Sequence, residues 1–489
     1  MKKGFDNEKY LKIQSEEIKK RINMFDSKLY LEFGGKLFDD FHASRVLPGF
    51  EPNAKIKMLK ELKEDVEVVF CINAGDIEKK KMRADFGITY DMELLRLIEN
   101  LRALDLYVSS VVITLYTGQA GVEKFRKVLE AKGIKTYLHT PTKGYPTEIE
   151  TIVSEEGYGK NEYIVTTKKL VVVTAPGPNS GKLATCLSQL YHEYKRGVKA
   201  GYAKFETFPV WNLPLKHPVN VAYEAATADL KDVNMIDPFH LEAYGISAVN
   251  YNRDIATFPI LKNILFKITG KEIYQSPTDM GVNMVKECII NDNVVKEACY
   301  QEIIRRYYSC LCDYKLEKIP EEIAESVKLL MNELNLHTDM RKVIRVANQK
   351  AQREQKDVIA LKLPNRKIIT GKETDILTPA SSLLINAIKE LTNIPDDVYL
   401  LSPSVLNPIL KLKENTIYKK YSKLNLQEVL IALSICSATN PIIVTGLKNL
   451  EKLKDSDAHA TYIVTDGELK TLKNLKINLT CEPKFSEEL

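Results

Sequence analysis

Long apolar runs are absent from this 489-residue chain. The longest, LVVV at 170–173 and SSVVITLY at 109–116, fall far short of the roughly 20 residues that cross a bilayer. No membrane partner is therefore expected. Blocks of like charge are absent too. The 70 Lys and Arg are interspersed with 65 Asp and Glu, so the net charge is only +5 and nothing gathers positive charge as a nucleic-acid footprint does. No nucleic-acid partner is expected. The opening MKKGFDNEKYLKIQSEEIKKR has two lysines but no apolar stretch behind them, so no secretory leader is read there and the expected location is the cytoplasm. The eight cysteines lack zinc-finger spacing: Cys310 and Cys312 form a C-x-C without a second pair, and Cys71, Cys186 and Cys436 lie in apolar or helical patterns where a thiol packs as a small hydrophobe. Neither repeats nor low-complexity segments interrupt a composition that is ordinary for a folded protein, 44% hydrophobic and 28% charged.

What the chain does have is alternation. SKLYLEF ends at Gly34-Gly35, DVEVVFCI at Asn73 to Asp76, SSVVITLY at Thr117-Gly118, IKTYLHT at Pro141 and KKLVVVT at Ala175 to Gly177. Between them, DMELLRLIENLRAL and AGVEKFRKVLEAKG carry the three- and four-residue apolar spacing of amphipathic helices. Parallel strands need crossovers, so this pattern predicts an α/β fold with a parallel N-terminal sheet. From about Thr278 to Gln355 almost no strand signal remains and the period is helical. Beyond it, VIALKLP, DVYLLSP, PIIVTG and ATYIVTD read as strands interleaved with helices such as ASSLLINAIKELTN and QEVLIALSICSAT. The expected organisation is an α/β domain over 1–240, a mostly helical domain over 241–355 and a smaller C-terminal α/β domain over 356–489.

The stretch VVVTAPGPNSGKLATC, 171–186, reads as strand, glycine-rich turn and helix. A helix N-terminus presents unpaired amides and partial positive charge, which makes such a turn a natural phosphate site. Gly181-Lys182 matches the second half of the pattern G-x-x-x-x-G-K-[ST], in which lysine neutralises phosphate and Ser or Thr binds Mg²⁺. The first half departs from it, because Pro176 occupies the first glycine position and Gly177 lies one residue too close. Pro176 and Pro178 offer no amide, and Leu183 replaces the magnesium hydroxyl, leaving Ser180 or Thr185 to stand in. The expected phosphate-binding set is Gly177, Asn179, Ser180, Gly181, Lys182 and Thr185, with Gly34 and Gly35 at a neighbouring strand end. Asp76, ending another strand, is the expected acidic partner of Thr185 for the metal.

A second polar stretch, 204–254, is dense in groups able to bind or catalyse, among them Glu206, His240, Tyr251, Arg253 and Asp254. With Lys182, the expected catalytic residues are His240, Arg253 and Asp254. The C-terminal part offers Gly371, Lys372, Asp375 and Thr378 before a helix, where Thr378 also suits an N-cap, and Asp457, His459 and Asp466 around a strand.

The phrases GPNSGKLATCLSQLYHEY, AKFETFPVWNLPLKHPVNVAYEAATADL, IDPFHLEAYG and VNYNRD, with LTPASS and LTCEP downstream, resemble an uncharacterised bacterial protein family, UPF0371, with a domain of unknown function, DUF1846. The resemblance covers nearly the whole chain. It implies a P-loop-like turn at Gly181 and Lys182 and brings no activity or catalytic residues with it. The functional expectation is a nucleotide- or phosphate-binding protein acting on a small phosphorylated molecule, a phosphotransferase using ATP or GTP with Mg²⁺. Two alternatives stand beside it: an oligomeric, non-enzymatic metabolite sensor or scaffold, and an enzyme on sugar phosphates that hydrolyses no nucleotide. A homo-oligomer is expected; in the sensor alternative the helical and C-terminal parts form its subunit interface.

Overall fold

The computed structural model describes residues 3–25, 28–83, 87–416 and 423–486. The chain forms two compact units, residues 1–299 and 300–489. The division falls inside one long helix, Asp292–Lys315, so the helical region expected over 241–355 contributes to both units.

The first unit is built on a seven-stranded sheet in which every pairing is parallel. Its strands are β1 (Lys28–Phe33), β2 (Val66–Asn73), β3 (Val108–Thr114), β4 (Lys135–Leu138), β5 (Leu170–Thr174), β6 (Ala200–Phe205) and β7 (Gly281–Val282). β3 and β5 are buried along their whole length, and β2 up to Ile72, which explains their richness in Val and Ile: helices cover both faces. On one face α1 (Lys182–Lys195) and α2 (Asn252–Thr269) pack Cys186, Leu187, Leu190, Phe258 and Leu261 against Tyr30, Cys71, Val171 and Val173.

The strand order is β7-β6-β1-β5-β2-β3-β4. After β2 the chain moves outward to β3 and β4; after β5 it crosses β1 in the opposite direction to reach β6. Connections leaving β5 and β2 therefore diverge and open a crevice at their carboxyl ends, the position where ligands bind in open parallel sheets.

The second unit carries a four-stranded mixed sheet of β8 (Val358–Lys362), β9 (Ile368–Lys372), β10 (Asp457–Ala460) and β11 (Asn478–Cys481), in the order β9-β8-β10-β11. The strands expected at DVYLLSP and PIIVTG are corrected here. Leu400 and Leu401 are buried in a turn, and Pro403 opens a helix. Pro441–Lys448 is also helical despite its β-branched residues, because Asn440 caps it, Pro441 occupies the first turn and Gly446 lets it approach Ile388. Of ATYIVTD only Ala460 belongs to a strand; Tyr462 and Val464 fill the core from an irregular segment. Thr378 is the N-cap of Pro379–Thr392, accepting from the Ser381 amide.

Candidate functional site

The turn between β5 and α1 is held from two neighbouring strands. Thr114, the last residue of β3, donates its hydroxyl to the Ser180 carbonyl at 2.8 Å, and Asn73, the last of β2, donates its side-chain amide to the Asn179 carbonyl at 3.4 Å. In a trans peptide the N–H points opposite the C=O. Tying these carbonyls to β2 and β3 therefore turns the amides of Ser180 and Gly181 the other way. Gly181 is the N-cap of α1 at φ +78°, and no side chain caps the helix. A Cβ at Gly181 would come within 2.9 Å of the buried Thr114 Cβ, so the position needs glycine for both its dihedral and its contact. Gly181→Ala is expected to cost about 1–3 kcal/mol, read as a lower urea midpoint with unchanged slope. Gly177 lies against the Tyr90 ring.

The remaining expected residues fall into different surroundings. The Ser180 hydroxyl donates back into its own loop, to the Gly177 carbonyl at 2.5 Å. Thr185 is buried at 1% exposure, and its hydroxyl accepts from the Cys71 thiol at 3.4 Å, a thiol whose pKa burial pushes up to about 12. That hydroxyl is engaged within the core. Asp76 pairs with Lys81 at 3.4 Å, and no cluster of three or more His, Cys, Asp or Glu suited to a metal occurs among the described residues. Gly34 donates its amide to the Phe205 carbonyl at 3.0 Å. The loop that Gly34 and Gly35 begin is fixed by buried Lys55, whose ammonium donates to the Lys36 carbonyl at 3.0 Å and to the Asp40 carboxylate at 3.1 Å.

His240 sits 2.9 Å from the Ser276 hydroxyl and 3.5 Å from the Asp279 carboxylate, with Trp211 and Tyr244 against its ring. This is the environment of a buried, hydrogen-bonded histidine. Arg253 is half-exposed and pairs with Asp232 at 3.2 Å. In the second unit, His459 is fully buried between the Thr480 hydroxyl and the Glu482 carboxylate, and burial holds its imidazole below the usual range. Lys372 pairs with Glu354.

Lys182 and Asp254 are joined through Glu32 and Lys204, which sequence reasoning passed over. Lys182 extends its ammonium over the end of β1 to 3.9 Å from Glu32. Glu32 and Lys204 are register partners on β1 and β6, so their side chains share one face, and the Tyr202 hydroxyl donates to Glu32 at 2.8 Å. Lys204 donates to Asp254 at 2.5 Å and lies 2.9 Å from Glu206. The five charged side chains are only 12–18% exposed, largely buried at the carboxyl ends of β1 and β6 yet reachable by solvent. Burial opposes the charge on Lys204, but Asp254, Glu206 and Glu32 outweigh it and raise its pKa. For Glu206 burial leads; Lys204 opposes it, but with Asp254 and Glu32 also repelling the charge, the carboxyl pKa rises above its ordinary value. The available signal was positional: Glu32-Phe33 and Lys204-Phe205 are matching charged–aromatic pairs at two strand ends, and the two rings stack at 4.5 Å.

Two profiles together span the chain: "Domain of unknown function DUF1846, N-terminal" matches residues 3–335 and its C-terminal counterpart matches 339–489. Among curated proteins, a "UPF0371 protein" of Clostridium botulinum (strain Alaska E43 / Type E3) is 57% identical, covering 100% of this chain and 99% of its own length. Another, of Clostridium tetani (strain Massachusetts / E88), is 55% identical over the same shares. Both DUF1846 matches and these full-length relatives place the chain in one family: it belongs to UPF0371.

Proposed function

We propose that the turn Gly177–Lys182 binds the phosphate of a small phosphorylated molecule and that the protein acts on this molecule without a nucleotide or a metal. The observation that carries this reading is the placement of Lys182. It stands at the first position of an uncapped helix, at the crevice where strand connections diverge, with its ammonium only loosely paired to Glu32 at 3.9 Å. An oxyanion there meets the outward amides of Ser180 and Gly181, the positive end of α1 and a lysine charge together.

ATP or GTP with Mg²⁺ is the less supported ligand. The Ser180 and Thr185 hydroxyls that stand in for the missing magnesium ligand are engaged within the loop and the core. The carboxylates of Glu206 and Asp254 already share the Lys204 ammonium.

Calorimetric titration of the full chain with inorganic phosphate, a set of phosphate monoesters, ATP and GTP, each with and without Mg²⁺, tests the reading. Binding of phosphate or a monoester, unchanged by Mg²⁺, is the expected result. Binding confined to a nucleotide–Mg²⁺ complex would establish the phosphotransferase reading in its place, and silence across the whole set would remove the phosphate site.

A further inference from the structure

At the helix end that carries Asp254, a buried polar group lacks a partner among the described residues. Tyr251 is 6% exposed and its hydroxyl makes no hydrogen bond among the described residues. It occupies the N-cap position of α2 without capping that helix, and Asp254 lies in the same first turn. Burial first, and then Tyr223 and the carboxylates of Glu206, Asp232 and Asp254, hold its phenol well above the usual range. It therefore remains a neutral hydroxyl, able to donate and to accept. A buried hydroxyl without a partner is destabilising, and an arriving polar group removes that cost.

The chemistry of the surroundings selects among possible partners. A second phosphate is repelled by Glu32, Glu206 and Asp254. A divalent cation competes with Lys204, whose ammonium already lies 2.5 Å from Asp254 and 2.9 Å from Glu206. Neutral hydroxyl groups suit the site from both sides, because they donate to the carboxylates and accept from Lys204 and Tyr251. Adjacent hydroxyls on one molecule use several of these groups at once.

We propose that Tyr251, Glu206, Asp254, Lys204 and Glu32 form a subsite for the vicinal hydroxyls of a sugar, so that the molecule held through its phosphate at Lys182 is a sugar phosphate. This rests on the phosphate reading of the turn, which it narrows to a substrate class.

The test compares inorganic phosphate, glucose 6-phosphate and ribose 5-phosphate by calorimetry on the wild type, Tyr251→Phe and Glu206→Gln. For the wild type, at least one of the sugar phosphates should bind about 10-fold more tightly than phosphate, the gain from one or two additional polar contacts. Tyr251→Phe should erase about 3- to 10-fold of that preference, leave phosphate affinity unchanged and leave thermal stability equal or higher, since it removes an unpartnered hydroxyl. Glu206→Gln, which keeps the side-chain volume, should also narrow the preference. A purely structural Tyr251 would not alter the ratio between ligands. If both sugar phosphates bind no more tightly than phosphate, or if Tyr251→Phe weakens all three ligands equally, the subsite is overturned while the phosphate site stands. If none of the three binds, both fall.

Discussion

Lys182→Ala is expected to weaken binding of phosphate and its monoesters by about 10- to 100-fold, because a charge-assisted contact to an oxyanion is worth roughly 1.5–3 kcal/mol. The fold should barely respond. Lys182 is 16% exposed, and its one ion pair among the described residues, with Glu32 at 3.9 Å, is at the outer limit of such contacts. Thermal unfolding of the variant should therefore stay within about 2 °C of the wild type, as loose pairs of this kind contribute little. Lys182→Arg keeps the charge but places a wider fork in the crevice, and should retain part of the affinity. The comparison separates a ligand-binding lysine from a structural one: a large stability loss in Lys182→Ala without loss of binding would assign it to the fold.

The largest stability effect is expected at Lys55, which the sequence does not single out. Its side chain is 2% exposed, and it joins the Asp40 carboxylate to the Lys36 carbonyl beneath the loop that follows β1. Removing one member of a buried pair leaves the other charge uncompensated and costs about 3–5 kcal/mol. Lys55→Ala should lower the unfolding temperature by roughly 5–10 °C. Asp40 also caps Phe41–Val46 through the Ala43 amide, and asparagine preserves that cap. The pair Lys55→Met with Asp40→Asn should therefore recover part of the loss, which a double-mutant cycle measures directly.

The same pair sets a pH dependence. Burial works to raise the Asp40 pKa, but the Lys55 ammonium and the Ala43 amide outweigh it and hold the carboxyl below its ordinary range. A carboxyl with a depressed folded-state pKa contributes stability that is complete above its unfolded value, about 3.9, and disappears as pH falls through the folded value. The stability difference between wild type and Asp40→Asn should accordingly be level from about pH 8 to pH 5 and close below about pH 4. A gap that closed near neutrality would assign the effect to another group.

The central sheet was legible because strands buried on both faces are mostly apolar, as β2, β3 and β5 are. The strand–turn–helix at 170–195 was legible because Gly181 and Lys182 sit where a helix begins. The order of the strands was not. Glu32-Phe33 and Lys204-Phe205 match at the ends of SKLYLEF and YAKFETF, but only the register shows that β1 and β6 are neighbours and that Glu32 pairs with Lys204. Thr185 shows the opposite failure: the spacing placed a hydroxyl near the turn, but the helical periodicity that carries Cys186 and Leu187 inward also buries it. His240 and Arg253 stood out as reactive types, and their hydrogen-bond partners, Ser276 and Asp232, lie 36 and 21 residues away in the chain. In the C-terminal unit, β-branched residues at 441–446 suggested a strand that the cap at Asn440 and Pro441 converts to helix.

A crystal structure of the full chain grown with a phosphate monoester tests the central claim most directly. The account predicts an oxyanion within about 3 Å of the Ser180 and Gly181 amide nitrogens and of the Lys182 ammonium. Density for the phosphate anywhere else, with Lys182 still turned to Glu32 and the mouth of α1 empty, would contradict it.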